Sequence, residues 1–447
     1  MRFIVFFTML FSLTTISQKI EGTVFDKETN IPLHGVSVHL VKNNAGVATD
    51  NEGRFILRVH KNDVLVFTHI GYKSQEISVS EFKKNGLVVY LNIKVESLNP
   101  VNISSKSNLR YSLRYTKLAP LENGIYAFGS LLDNDNIYVV GGNQSYESDE
   151  ALRALATDKY VNSNATLVDI LYESRYNFNY QHYEDNLLIY NVGADTWEES
   201  DIKFRKRANN NLLKYDDKLI VLGGKRLSMN QEFEYLDDKI EVFDLSDNEI
   251  IIDNVNPHQA VDFASVIEND NLIVIGGSIK IKSNDTKVFS DKVHMLDLKT
   301  GLWFELANMP KPKETKGILV KDKIFLIGGY NNKVLKGIES LDLKTGKWKE
   351  EGELFDAIRR PALTYFNDVI YIFDEGKMMT LNVKTNQLDS YSVDLYLKSA
   401  ELFYSNGTLY LLGGYKYDDF SITPSPNLYR INLDDFEKTR IKDSKKI

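Results

Sequence analysis

The stretch KIFLIGGYN, Lys323–Asn331, sets an apolar run against a glycine pair, Gly328-Gly329, and then an aromatic residue. A pair of glycines after a strand-like run can cradle a phosphate, turn a repeated sheet, or simply bend the chain. A phosphate loop must open a helix, whose free N–H groups meet the anion. Here a polar loop and another strand-like run follow instead. The surroundings therefore decide the reading.

The same paragraph recurs six times: NIYVVGGN at 136, KLIVLGGK at 218, NLIVIGGS at 271, KIFLIGGY at 323, VIYIFDEG at 369 and TLYLLGGY at 408. Each copy follows a strand-like stretch and a polar turn, and each precedes a second pattern such as VHMLDLKTGLW or IESLDLKTGKW. Six residues after Asn191, Asp297 and Asp342 stand Trp197, Trp303 and Trp348, the three tryptophans of the chain. The same step from Asp244 and Asn382 lands on Ile250 and Leu388. An apolar anchor at one place in every repeat is what a stacked core requires. The last copy slips, giving Lys438 with Phe436 nearby.

Each repeat reads as four strands, and from Ile125 to Ile441 the copies average about 53 residues, near the roughly 50 of kelch blades. The glycine pairs (Gly141-Gly142, Gly223-Gly224, Gly276-Gly277, Gly328-Gly329, Gly413-Gly414), the aromatic residues around them and the downstream tryptophans resemble the kelch motif. The fifth copy departs from it, with Phe373-Asp374-Glu375 where the pair should be. The resemblance implies a six-bladed kelch-type β-propeller over 125–441, reached through a linker at 105–124 and followed by a tail at 442–447. Either a strand from Tyr111 to Tyr115 or one from Glu437 to Ile441 is expected to close the ring.

Residues 19–104 have another texture. Alternating apolar residues with turn clusters every 8 to 12 residues predict a small antiparallel β-sandwich. Val36, Val38 and Leu40 should share one face with Phe55 and Leu57, and Gly53 should supply a turn. Gly22, Val24, Asp26, Pro32, Leu33, Gly35, Val36, Val38, Thr49, Asp50, Gly53, Phe55, Gly71 and Tyr72 stand in the order of the carboxypeptidase-regulatory-like domain, which this segment resembles. That resemblance implies a transthyretin-like sandwich of the kind found at the front of bacterial outer-membrane receptors, and no catalysis. Asp50, Asn51 and Glu52 offer oxygens for a cation, but a solvated turn is the simpler reading. The chain is thus expected to be all-β throughout.

The N-terminal MRFIVFFTMLFSLTTISQ reads as a signal peptide over 1–18, its apolar run shorter than the roughly 20 residues of a spanning helix. With the front domain it points to the periplasm or the outer membrane, or to secretion, and to a mature protein that does not span the membrane. A net charge of −8 with mixed signs argues against nucleic acid as a partner. No cysteine is present. Disulfides, thiolate metal sites and the copper–tyrosyl-cysteine centre of galactose-oxidase-type propellers are thereby excluded. The seven histidines show no metal-ligand spacing, and no metal or cofactor is expected.

Binding is the expected job, with a protein or a glycan as partner. Rigid frames carry their recognition on loops, and the longest runs from Asn143 to Asn186. It contains SDEALRALATDKY, where Ser148 is placed to cap a short helix, and the aromatic-rich YESRYNFNYQHYEDN. By position, Arg207, Arg226, His258, Tyr330, Asn331, Arg360, Tyr415 and Lys416 should line one face. Tyrosine rings stack on sugars or peptides, and arginines clamp carboxylates. The alternative is a sugar-modifying enzyme, a reading implied by resemblance to the kelch-type sialic-acid mutarotases. Acid and base groups converging in a pocket would favour it, and a flat face would favour a scaffold.

Overall fold

The structure, a computed structural model, describes residues 18–42, 46–60, 62–80, 88–93, 109–156, 166–231, 233–281 and 286–447. The chain forms two compact units, Met1–Lys106 and Ser107–Ile447. All of the expected signal peptide except Gln18 lies outside the described residues. No described helix is long and apolar enough to cross a membrane.

The first unit is the expected sandwich. One sheet orders Arg54–Val59, Gln18–Asp26 and Val88–Leu91; the other orders Gly46–Ala48, Ser37–Leu40, Val64–Thr68 and Gln75–Ser78. Val24, Val36, Val38, Phe55, Leu65 and Phe67 form its core, with Leu57 packed against it. Polar residues of the family pattern act as stitches. The Tyr72 hydroxyl donates to Asp26 at 2.6 Å, and Thr49 donates to the Leu33 carbonyl at 2.6 Å. The bond from Tyr72, with N–H groups of Thr29 and Glu28, holds the Asp26 carboxyl down at about 2. Asp50 accepts from the Glu52 and Arg54 N–H groups and pairs with the Arg54 guanidinium at 3.1 Å, the solvated turn expected there.

In the second unit, six sheets follow one another in chain order, five of them four-stranded and antiparallel and the fifth widened to six strands. They are called blades one to six below. Their second strands are Asn136–Val140, Lys218–Leu222, Asn271–Ile275, Lys323–Tyr330, Val369–Asp374 and Thr408–Leu412. The first strands of successive blades pack on one another, and that of blade one meets that of blade six. Six apolar clusters fill the spaces between neighbouring blades.

The recurring anchor has the role its spacing suggests. Trp197, Ile250, Trp303, Trp348 and Leu388 sit opposite Tyr190, Phe243, Leu296, Leu341 and Leu381, at one register in five blades. The sixth copy slips because its fourth strand comes from elsewhere. Thr116–Lys117 pairs with Leu428–Asn432 and closes the ring, while Asp434–Glu437 turns into a short helix. Phe436 then packs edge-on to Tyr371 and Tyr391.

Both expected closing strands are therefore corrected. Ser112–Leu113 pairs instead with the outer strand of blade five, Glu437–Ile441 forms no strand, and Asp443–Lys446 beyond it joins blade five as well. Ser112–Leu113 and Thr116–Lys117 of the stretch read as a linker, and Asp443–Lys446 of that read as a tail, belong to the propeller sheets.

Candidate functional site

The glycine pairs build one face of the propeller. In each pair both residues have φ between +60° and +115°, the left-handed region where glycine is least strained. A Cβ at any of the ten would fall 2.2–2.8 Å from a neighbouring atom. The second glycine also staples its blade to the next. Gly142, Gly224, Gly277, Gly329 and Gly414 donate N–H groups to the carbonyls of Arg207, Ala260, Lys313, Ile358 and Ile125 at 2.7–2.9 Å.

Just past these staples the chain lines a central cavity of about 640 Å³. Tyr126, Val261, Arg359 and Lys398, each one residue after a staple carbonyl, form part of its wall; Ala127, Asn209, Asp262, Arg360 and Ser399 follow them. Ala127, Asn209, Asp262 and Ser399 hold φ of 52–58°. Such left-handed non-glycine positions concentrate at functional sites. Asn143, Lys225, Ser278 and Tyr415, each directly after a glycine pair, complete the ring.

Ion pairs organise the cavity. Arg360 reaches Asp262 at 2.8 Å, which also accepts from Asn209 at 2.8 Å. Burial opposes ionisation of Asp262, but the Arg360 charge prevails and its pKa lies below the usual value. Glu234 takes Lys225 at 2.6 Å and the hydroxyl of Tyr183. Arg359 and Lys287 share Glu314, the arginine at 2.8 Å and stacked 4.5 Å over the Tyr330 ring. Tyr126 and Tyr415 face each other with centroids 4.9 Å apart.

Asp374 differs from these acids. It lines the cavity, yet its carboxyl takes part in no hydrogen bond or ion pair with a described residue. Burial pushes it up to about 6, partly opposed by Lys398.

Of the residues expected from sequence, Arg360 and Tyr415 line the cavity. Tyr330 braces Arg359 from behind, between it and Phe289. Asn331 is tied to the Pro312 carbonyl at 2.7 Å, and Lys416 is exposed; neither lines the cavity. Arg226, paired with Tyr235 in a hairpin beside the mouth, is outside the wall too.

Two placements are corrected. Arg207 is 0% exposed and sits between Asp237, at 3.2 Å, and Glu241. It occupies the staple position filled elsewhere by buried Ile125, Ala260, Lys313, Ile358 and Leu397. His258 is buried as well, 2.8 Å from the Gly276 carbonyl and 2.9 Å from His294. Burial, then His294, pushes it down to about 4, so it stays neutral.

The long insertion also differs in detail. Asp149, rather than Ser148, caps the helix Glu150–Ala156, accepting from the Leu152 N–H at 2.9 Å. Ser148 ends a strand that joins Phe178–Tyr180 to the blade-six hairpin Tyr415–Asp418/Ser421–Pro424.

Comparison with known proteins agrees with this architecture. A family model described as CarboxypepD_reg-like domain matches residues 20–103, and one described as Kelch motif matches 318–354, the blade that contains KIFLIGGYN. The chain is a kelch propeller protein with a carboxypeptidase-regulatory-like front domain. It is 29% identical over 165 residues to Kelch repeat protein C2 of Cowpox virus (strain GRI-90 / Grishak), covering 36% of this chain and 30% of that one. A Camelpox virus (strain CMS) protein of the same name is 29% identical over 157 residues, covering 34% and 29%. The chain thus spans about three tenths of the curated relatives it matches. A solved structure, that of YjhT, aligns with a TM-score of 0.50 at 12% identity, covering 69% of this chain and 95% of that one. This likeness shows the fold alone.

Proposed function

We propose that this kelch propeller protein is a secreted or periplasmic binding protein that recognises a protein or a glycan through its loop face, with the central cavity taking the ligand's charged or ring-bearing group. A kelch frame suits a binding or scaffold role, because variable loops stand on rigid blades. One observation carries the reading: side chains from all six blades converge on a single cavity of about 640 Å³, within the roughly 300–1,000 Å³ of small-ligand sites. Facing tyrosines offer ring surfaces, and half-exposed Arg359 offers a charge-assisted donor.

The test is a glycan array and a pull-down with the full chain. The expected result is a ligand whose binding is lost in Arg359→Ala and Tyr415→Ala. Ligands that bind both variants as well as the parent protein, or no ligand at all, would overturn it. The envelope location rests on the signal-like N-terminus and the front domain; cell fractionation that recovers the protein in the cytoplasm refutes it.

A second reading, acid–base chemistry on a sugar, draws support from Asp374. Its pKa near 6 suits proton transfer close to neutral pH. NMR of aldose and sialic-acid anomers tests it: accelerated exchange that Asp374→Asn abolishes supports the enzyme, and unaltered exchange removes it.

A further inference from the structure

Once the ion pairs of the cavity are matched, its charges do not cancel locally. Glu234 is taken by Lys225, and Asp262 by Arg360. Lys398 is held by Glu375 at 3.2 Å and lies 4.3 Å over the Tyr417 ring. Two kinds of group are left over. On the cationic side, Arg359 shares one carboxylate, Glu314, with Lys287, and Lys280 has no ion pair among the described residues. On the anionic side stands Asp374 alone.

The backbone explains why Asp374 can stand there. It occupies the place of the first glycine in the other five blades. Blade five replaces the long loop by a two-residue hairpin turn, Glu375-Gly376, with φ of +32° and +79° between the paired residues Asp374 and Lys377. Both central residues of such a turn take positive φ. The staple is kept, from the Glu375 N–H to the Leu397 carbonyl at 3.2 Å. Position 374 is therefore relieved of the glycine's task, and its side chain enters the cavity wall. An unpaired, desolvated carboxylate is costly to keep without a partner. Tyr415 lies within electrostatic reach of both Arg359 and Asp374, and all three line the same cavity.

We propose that the cavity takes a zwitterionic group of the amino-acid type, its carboxylate held by Arg359 and its ammonium by Asp374, with Tyr415 in the same wall. This rests on the cavity being the ligand site and goes beyond it by naming the ligand's charge pattern. The groups that face Asp374 are Lys398 and Tyr415 from blade six and Glu375 and Lys377 from its own turn. Lys377 is drawn away by Asp356.

The test is calorimetric titration of the full chain with a panel of free L- and D-amino acids, and with the N-acetyl and carboxamide forms of the best binder. The free form should bind at least about tenfold more tightly than either blocked form, since each block removes one charge-assisted contact. Asp374→Asn should erase the preference over the N-acetyl form alone, and Arg359→Ala the preference over the carboxamide alone. Asp374→Ser repeats the first arm with a smaller side chain. Binding of the free form should weaken about tenfold from pH 7.5 to pH 5 as Asp374 takes up a proton. Equal affinity for free and blocked forms, or preferences unchanged in the variants, overturns the inference. So does a panel without a binder, and in that case the glycan-or-protein reading is judged separately by its array and pull-down.

Discussion

Blades four and five solve one problem in two ways. Each must end its second strand, bend, and hand an N–H to the carbonyl that leads into the next blade. Blade four does so with Gly328 and Gly329, at φ of +60° and +115°, and a loop that includes Tyr330. Blade five ends its strand at Asp374 and turns through Glu375-Gly376. The staple is 2.8 Å in the first and 3.2 Å in the second. The frame thus demands a left-handed bend and a donated N–H, and glycine at two fixed positions is only the commoner way to supply them. Where the bend moves, a side-chain position opens onto the cavity. Asp374 fills it.

The sharpest way to break this comparison is to put a methyl group on the first arrangement. A Cβ on Gly329 would lie 2.2 Å from the Glu314 carbonyl oxygen, at a φ that disfavours any side chain. Gly329→Ala is expected to cost about 3 kcal/mol through clash and backbone strain together. Glu375→Gly at the equivalent place should stay within about 0.5 kcal/mol, since a turn position with positive φ accepts glycine readily. Urea denaturation of the two variants reads both numbers. Equal losses would mean that the two turns are not equivalent parts of the frame.

Asp374→Asn comes next in size, and its sign depends on pH. The carboxyl titrates at about 6 when folded, against a reference of 3.8. The native state therefore binds the proton more tightly than the unfolded chain. Its burial costs nothing below the unfolded pKa, grows as pH rises from 3.8 to 6, and is complete above 6. Replacing it with asparagine should stabilise the protein by on the order of 2 kcal/mol at pH 7.5 and leave stability unchanged at pH 3.5. A melting-temperature series from pH 3.5 to 7.5 tests this. A variant less stable at every pH would show that the carboxylate is part of the frame, as the glycines are in blade four.

How much of this could be read in the sequence follows from the same contrast. Backbone demands repeat, and so they are legible. Five glycine pairs and the constant step to Trp197, Ile250, Trp303, Trp348 and Leu388 disclosed the blades. The ring-closing strand was missed because Thr116–Lys117 is two residues long and its partner lies more than 300 residues away. Of the site, the residue just after a glycine pair is a partial guide. Asn143, Lys225, Ser278 and Tyr415 reach the cavity, whereas Tyr330 braces Arg359. Arg226, Asn331 and Lys416, one step further along, miss the wall. The other edge of the wall depends on register. Arg207 occupies the staple position itself, two residues short of the wall at Asn209, and so lies in the core. Asp374 was visible only as a broken repeat. Nothing in the pattern says which way a departure points until the turn that replaces it is known.

The smallest effect probes the neighbour that leaves Asp374 alone. Lys398 is shared between Glu375, at 3.2 Å, and the Tyr417 ring. Both members of the pair keep about a third of their side chains exposed, so Glu375→Gln should cost under about 1 kcal/mol of stability. The consequence lies elsewhere. Released from Glu375, the Lys398 ammonium can turn toward Asp374, and the like charge of Glu375 that also raises Asp374 is gone. Both changes favour the carboxylate, so the Asp374 midpoint should fall below 6 when followed by carboxyl carbon NMR. Zwitterion binding at pH 7.5 should weaken too, because Lys398 then competes for the acid meant for the ligand. An unmoved midpoint would show that the Tyr417 ring, rather than Glu375, keeps Lys398 from Asp374, and would shift the origin of the unpaired carboxylate from blade five's turn to blade six's hairpin.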